Sequence, residues 1–483
     1  MAGPRASQAD DEAHERRKAA REAAAARVRD VYAELLSRAP EHAMQPRLEP
    51  VRAVCDLLGD PQGAYPVVHL TGTNGKTSTA RIIERLLREH NLRTGRLTSP
   101  HLHSVTERIA LDGVPMADAD FADVFEEVAP LVAMVDGQLA GRDEPPLTYF
   151  EVLTVMAFAA FADAPVDVAV VEVGLGGQWD ATNVADATVA VVTPISLDHT
   201  TMLGDTVQAI AAEKSGIFTE GGFVVMAQQP VDAAEVLLRR AVETGSTVAR
   251  EGLEFGVTSR SPAIGGQMLT VQGLAGEYRD LFLPLHGEHQ AHNAALAVAA
   301  VEAFFGSGAQ ALDTSIVGEA LQDVTSPGRL ELVRPSPAVL IDAAHNPAGV
   351  QVVLDALAEA FDLPYLVGVV GILQDKDAET MLSLLEPVLD EIVVTRSSSV
   401  RSVAVHDLAQ LARDIFDEDR VHEVERLDDA LVLGVNLAEV GTERGGGVLV
   451  TGSVTVAGEA RLLLGAPGVD VSPRWGRHTE APA

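Results

Sequence analysis

The sequence predicts an α/β protein made of a larger N-terminal part and a smaller C-terminal one. Three observations carry the prediction. From about residue 66 onward, short apolar runs alternate with stretches of helical period. The runs are continuous in Val, Ile and Leu, as suits strands buried on both faces of a parallel sheet. Finally, "DVTSPGRLE" at 323–331 breaks the series with Ser-Pro-Gly chemistry before a second set of apolar runs begins.

Taken in order, residues 1–27 are rich in Ala and Arg but also carry Asp10, Asp11, Glu12 and Glu15. They read as a frayed helix or disordered tail, without the apolar segment of a secretory leader or the acid-poor character of a mitochondrial one. The cytoplasm is the expected location. "YPVVHLTG", "RTGRLTSP", "DVAVVEVGLGG", "ATVAVVTPIS" and "GGFVVMAQQ" supply the strands of the first part. After the first of them, "STARIIERLLREH" places Ile82, Ile83, Leu86 and Leu87 on one helical face. Residues 247–285 carry shorter β-like pieces with Gly-Gly and Ser-Pro punctuation, and a small antiparallel addition is expected there. "HQAHNAALAVAAVEAFF" then reads as a helix. Beyond the linker, "AVLIDAAHNPAG", "YLVGVVGILQDKD", "EIVVTRSSS" and "GGVLVTGSV" suffice for a separate open sheet. The expected divisions are a tail at 1–27, a first domain at 28–327, a second at 328–470 and a tail at 471–483.

Composition agrees with two soluble domains. The chain has 483 residues, 47% hydrophobic and 22% charged, too long for one ordinary core. No uninterrupted apolar stretch approaches the roughly 18 residues of a membrane span. Its one cysteine, Cys55, excludes an intramolecular disulfide framework. Seventy acidic residues against 36 basic ones give a net charge of −34, which repels nucleic acid and anionic lipid. An anionic ligand would need a locally positive pocket.

Such a pocket is suggested by "VVHLTGTNGKTST" at 67–79, an apolar run, a Gly-rich turn and the start of a helix. The general phosphate-loop pattern is G-x-x-x-x-G-K-[ST], and Leu70 stands where its first Gly should be. What remains is Gly72-Thr73-Asn74-Gly75-Lys76-Thr77, a shorter loop. The physics survives the shortening. Glycines let backbone N–H groups approach phosphate oxygens, the helix N-terminus adds its dipole, and Lys76 adds a point charge.

Four further residues fall near strand ends or in the helices that follow, and each has a plain alternative. Ser99 could be only a turn-favouring Ser before Pro. Glu172 closes the most apolar run, where a carboxylate is costly unless something cationic meets it. His199 could be a loop hydrogen-bonder, and Lys214 a solvated helix lysine. Together, a hydroxyl, a carboxylate and an imidazole beside a phosphate loop make a coherent Mg²⁺ shell. "VGLGGQW" begins a G-x-G-x-x-G, but Trp179 occupies the last position, so a dinucleotide fingerprint fails.

"GTNGKTS", "TSPHL" with "ERI", "LTYFE", "VEVGLGGQWDATN", "LDHTTMLG", "EKSGIF", "PGRLE", "DAAHNP" and "VTGS" occur in this order between about residues 45 and 465. As an ordered set they resemble the folylpolyglutamate synthases and dihydrofolate synthases of the Mur-ligase superfamily. The resemblance implies an N-terminal P-loop ATPase domain and a smaller Rossmann-like C-terminal domain. It also implies ATP-dependent joining of L-glutamate to a folate or dihydropteroate carboxylate through an acyl phosphate, by a monomer without nucleic-acid or membrane partners.

Carried over by motif, ATP would meet Gly72, Thr73, Asn74, Gly75, Lys76 and Thr77, with Asn293, Arg329, Asp342 and His345 from later motifs. One Mg²⁺ would use Ser99 and Glu172, and a second Glu172 and His199. Lys214 would be carbamylated, replacing an ammonium near Mg²⁺ with an anion. Lys76, Glu172, His199 and Lys214 are the expected catalytic set. Thr148, Tyr149, Phe150, Glu151 and Asp180 would face the pterin, and Ser453 the incoming glutamate. The competing readings are a muramoyl-peptide ligase of the same superfamily, which "GTNGKT" also suits, and a P-loop nucleotide switch that is not a ligase.

Overall fold

The computed structural model describes residues 4–40, 45–441 and 446–466; the tail expected at 471–483 lies outside them. Among the described residues, seventeen strands form three sheets. The first takes β1 (Val67–Thr71), β2 (Thr94–Leu97), β3 (Ile109–Leu111), β4 (Val114–Pro115), β5 (Val168–Glu172), β6 (Ala187–Val192), β7 (Phe223–Met226) and β8 (Thr247–Arg250). Their order is β4-β3-β2-β5-β1-β6-β7-β8. Strands β2, β5, β1, β6, β7 and β8 pair in parallel, while β3 and β4 close one edge antiparallel. Every residue of β1 and of β5 is buried, as suits their Val- and Leu-rich runs, and His69, Thr71 and Glu172 are buried with them.

A three-stranded antiparallel sheet follows, β9 (Gly256–Ala263), β10 (Gly266–Gln272) and β11 (Glu277–Leu283), with β10 in the middle. The sequence grouped all of 247–285 into this addition. In the structure Thr247–Arg250 pairs in parallel with β7 and belongs to the large sheet. The local pattern there, one half-buried edge strand of four residues, is too short to separate the two arrangements.

The third sheet takes β12 (Glu331–Pro335), β13 (Ala338–Ile341), β14 (Leu366–Val370), β15 (Glu391–Arg396), β16 (Val421–Arg426) and β17 (Gly447–Thr451). Its order is β12-β13-β17-β14-β15-β16, parallel except for β12. All of it lies beyond residue 327.

A helix runs without interruption from Pro4 to Leu36, across the division placed at residue 28. Val28, Val31 and Leu35 are buried against the core around Phe121, Phe150 and Phe158. Arg27 reaches Asp123 at 2.6 Å and Glu126 at 2.7 Å. Among the described residues, no helix is long and apolar enough to cross a membrane.

Candidate functional site

Register decides which side chains meet. Strand β1 sits between β5 and β6, with Leu70 opposite Glu172 and Thr71 opposite Val192. The loop leaving β1 is therefore flanked on one side by Glu172 and on the other by the segment after β6. Gly72 and Gly75 both have left-handed backbones, with φ of +141° and +89°. A Cβ at Gly72 would lie 1.9 Å from Thr193 Oγ1, and one at Gly75 would lie 2.7 Å from Asn293 Oδ1. Only glycine allows both approaches. Lys76 then opens the helix Lys76–Glu89, whose apolar face packs into the core beneath the sheet.

Glu172 is buried at the end of β5, where it accepts hydrogen bonds from Thr77 Oγ1 at 2.9–3.0 Å and from the Ser99 N–H at 3.3 Å. Burial pushes its carboxyl up, and the charge of Lys76 only partly opposes that. Two lysines converge on one carbonyl: Lys76 Nζ donates to Gly72 O at 3.0 Å and Lys214 Nζ donates to the same oxygen at 2.8 Å. Burial, and secondarily the charge of Lys76, bring Lys214 down to about 7. Burial also lowers Lys76. Both amino groups are held out of water beside that carbonyl, and nearby carboxylates, Glu172 and Asp198 for Lys76 and Asp198 for Lys214, only partly offset the burial.

The third sheet closes the site from the opposite side. Asn346 caps the helix Pro347–Ala360 through its Oδ1, which accepts the Gly349 N–H at 2.8 Å. Its Nδ2 donates to Asn74 Oδ1 at 3.1 Å, on the phosphate loop, and to Asp198 Oδ2 at 2.9 Å. Lys376, in the segment after β14, donates to Asp198 Oδ1 at 2.8 Å. Burial works against the Asp198 charge, but Lys376, joined at acid pH by His199 and His345 once they are protonated, outweighs it and holds the carboxyl well below its usual range. His345 donates Nδ1–H to Ala343 O at 3.0 Å, which leaves Nε2 directed toward Asp198 at 3.8 Å. Burial and the charge of Lys376 hold both His199 and His345 near 4, so both are neutral imidazoles at neutral pH.

Two cavities meet at this junction. One, of about 300 Å³, lies between the phosphate loop and the third sheet, lined by Asn74, Gly75, Asn293, Arg329, Asp342 and His345. The other, of about 540 Å³, holds Lys76, Ser99, Glu172, His199 and Lys214 together with an aromatic wall. That wall is Tyr32, His101, Tyr149 and Phe150, with the Arg108 guanidinium 5.2 Å over the Tyr149 ring. Tyr32 stands edge-on to His101 and Tyr149 at centroid distances of 5.8 and 6.4 Å.

Most of the sequence-derived set lines these cavities, and Asn74, Gly75, Arg329 and His345 line both. Gly72 through Thr77, Ser99, Glu172, His199, Lys214, Arg329, His345, Tyr149 and Phe150 line the larger cavity, and Asn293 and Asp342 the smaller. Thr148, Glu151, Asp180 and Ser453 are not among the side chains that line either cavity. Thr148 and Glu151 form a capping box that starts the helix Tyr149–Asp163, and Glu151 also pairs with Arg47 at 3.3 Å. Asp180 accepts the Leu175 N–H at 2.9 Å, the Thr182 N–H at 3.0 Å and the Thr182 hydroxyl. Ser453 caps the helix Val454–Leu463 through the Val456 N–H at 3.1 Å.

Sequence reasoning missed Asp198, Lys376 and Asn346, and on the aromatic wall Tyr32, His101 and Arg108. Asn346 had a readable signal, an Asn directly before Pro347 at a helix start. Among the described residues, no three His, Cys, Asp or Glu side chains converge as a metal cluster. The Glu172 carboxylate and the Thr77 hydroxyl nevertheless supply hard oxygen donors, with Ser99 in the same cavity, the chemistry that Mg²⁺ takes.

Comparison with known proteins agrees with this geometry. A Mur ligase middle domain matches residues 70–301, and a Mur ligase glutamate ligase domain matches residues 328–454. The dihydrofolate synthase/folylpolyglutamate synthase of Mycobacterium tuberculosis is 50% identical over 445 residues, covering 88% of this chain and 91% of that protein. The Escherichia coli protein of the same name is 34% identical over 348 residues, covering 71% and 76%. A crystal structure of Mycobacterium tuberculosis folylpolyglutamate synthase complexed with ADP and AMPPCP superposes with a TM-score of 0.87 at 49% identity, covering 92% of this chain and 99% of that one. E. coli FolC in complex with DHPP and ADP superposes at 0.75, with 28% identity over 86% and 92% of the two chains. Two α/β layers meeting at a phosphate loop, together with this identity along most of the length, establish that the chain belongs to the dihydrofolate synthase/folylpolyglutamate synthase family of ATP-dependent Mur ligases.

Proposed function

We propose that this chain joins L-glutamate to folates, and to dihydropteroate, using ATP, with 28–327 as the nucleotide- and pterin-binding domain and 328–470 as the glutamate-ligase domain. One observation carries the reading most directly. The phosphate loop, the buried Glu172 and an aromatic wall share a single cavity of about 540 Å³, so a flat heterocycle and a phosphate chain can be held at one place. The smaller cavity beside Asn293 and Asp342 suits the nucleoside end of ATP.

The reaction brings three anions together, and this chain's residues lower the cost. Loop N–H groups and Lys76 take the phosphates, with Lys76 leaving the Gly72 and Thr73 carbonyls to do so. Arg329 lines both cavities and adds charge from the second domain. Ser99 and Glu172 would hold one Mg²⁺, and Glu172 with His199 a second, since neutral imidazole and hard oxygens are the donors present. Magnesium, when bound, neutralises charge on the β- and γ-phosphates. Near pH 7 Lys214 keeps a substantial neutral fraction, and a neutral amine is the form that adds CO₂ to become a carbamate.

With the substrates aligned, the folate carboxylate attacks the γ-phosphorus and ADP leaves. The amine of glutamate then attacks the acyl carbon, and inorganic phosphate leaves as the amide forms. Positioning and charge neutralisation provide the rate.

The test is ADP release with ATP, L-glutamate and either dihydropteroate or tetrahydrofolate, omitting each in turn. Strict dependence on both a pteroate and glutamate is expected, with carboxylate ¹⁸O passing from folate into phosphate. Turnover only with a UDP-muramoyl acceptor, or hydrolysis indifferent to both small molecules, overturns the reading. For Lys214, native mass spectrometry is expected to find one added CO₂ that disappears in the Lys214→Arg variant.

A further inference from the structure

A third cavity, of about 1360 Å³, lies at the far end of the helix Lys76–Glu89, against the linker that joins the two domains. Its walls carry Arg85 and Arg88 from that helix, Arg93 from the turn after it, Arg329 and Arg461 from beyond the linker, and His286. Five of the chain's 36 basic residues thus face one cleft of a molecule whose net charge is −34. Arg85 and Arg88 stand one turn apart on the same helix face, where like charges repel.

Only part of that charge is answered from within. Arg85 pairs with Glu89 and with Asp323 at 3.0 Å, and Arg461 grips Glu331 at 2.6 and 3.0 Å. Arg93 stands 3.7 Å from Asp112 with both side chains about half exposed, a weak pair. Among the described residues, the Arg329 guanidinium donates one hydrogen bond, to the Gly328 carbonyl at 3.4 Å. Arg88 makes no ion pair among the described residues. Its guanidinium packs over Gly113, where an added Cβ would lie 2.0 Å from Nη1. Arg88 and Arg93 therefore present charge that surrounding carboxylates leave largely uncompensated, whereas the Arg329 charge also bears on the buried carboxyls of Asp342 and Glu172.

We propose that this cleft binds a small polyanion, bearing phosphate or carboxylate groups, at a site beside the catalytic cavities that shares Arg329 with them. The walls belong to both sides of Ser326-Pro327-Gly328, so an anion bridging Arg88 or Arg93 to Arg329 fixes the linker geometry. Arg329 also lines both cavities of the catalytic site, so polyanion and nucleotide draw on one side chain. Their binding is then coupled, and the coupling is reciprocal.

The test uses the full chain with its nucleotide site filled by magnesium and a non-hydrolysable ATP analogue. Tripolyphosphate and tricarballylate are titrated separately by calorimetry. At least one is expected to bind once per chain, and which one decides between phosphate and carboxylate chemistry. Arg88→Glu with Arg93→Glu is expected to weaken binding at least about tenfold, as the loss of charge-assisted contacts requires. The milder Arg88→Gln with Arg93→Gln is expected to weaken it less, and both variants to keep the ligation rate measured without the anion. Absence of binding by both anions, or equal binding by wild type and both variants, overturns the proposal.

Discussion

Glu172 and Asp180 are two buried acids eight positions apart in one strand and loop, and they are used in opposite ways. Asp180 accepts two backbone N–H groups and the Thr182 hydroxyl, and its oxygens face the loop they hold. Glu172 accepts from one hydroxyl and one distant N–H, and its oxygens face a cavity that holds two lysines. Burial raises both carboxyls, Asp180 to about 6. Burial alone therefore does not separate structure from chemistry. What separates them is whether the acceptors are used up by the fold.

The sharpest way to break this distinction is to remove each acid. Glu172→Ala is expected to lower ligation at least about 10³-fold, because a metal-binding carboxylate contributes several kcal/mol to charge stabilisation. The fold should persist, as checked by unchanged urea unfolding alongside steady-state kinetics. Near-normal turnover would remove Glu172 from the site. Asp180→Ala should act on stability first. It leaves the Leu175 and Thr182 N–H groups without an acceptor and is expected to cost about 3 kcal/mol in urea unfolding.

The same contrast explains what the sequence could disclose. The phosphate loop was legible because its signal is contiguous: an apolar strand, glycines, Lys76, then a helix face of Ile82, Ile83, Leu86 and Leu87. Glu172 was legible because a carboxylate ending so apolar a strand violates the local pattern. Asp198 and Lys376 were not, because their partnership spans 178 positions and each alone looks like an ordinary loop residue. Thr148 and Glu151 were assigned to the pterin by family resemblance, although Thr-x-x-Glu before an apolar helix is itself a capping-box signature. In the C-terminal half, β16 went unread because its "VHEVER" alternates and is half exposed, unlike the buried runs around it.

Asp198 is a third kind of acid, one whose cation arrives from the other domain. Lys376 and Asp198 are both nearly buried, with side chains 6% and 10% exposed. Lys376→Met leaves that carboxylate uncompensated and is expected to cost about 3 kcal/mol, whereas replacing both, with Asp198→Asn as well, should recover much of the loss. A double-mutant cycle by urea unfolding measures the coupling. Additive effects would mean that this contact does not hold the two domains together.

The smallest expected effect tests the loop that Asp180 organises. Because Thr182 Oγ1 donates to Asp180, it must accept from His69 Nε2, 2.8 Å away, so His69 carries its proton there and Nδ1 is bare. Burial pushes His69 down to about 3, below the 6.5 of an unfolded chain. Between those values the unfolded state takes up a proton that the folded state refuses. Stability from this residue is therefore complete above pH 6.5 and is lost as pH falls toward 3. Over the first 1.5 units of that window, linkage gives a loss of roughly 2 kcal/mol. His69→Gln can still donate to Thr182 but cannot titrate, so its stability should fall less steeply between pH 6.5 and 5 than that of the wild type. Parallel curves would place the acid sensitivity elsewhere, among imidazoles such as His345 that face the cavity and not the loop.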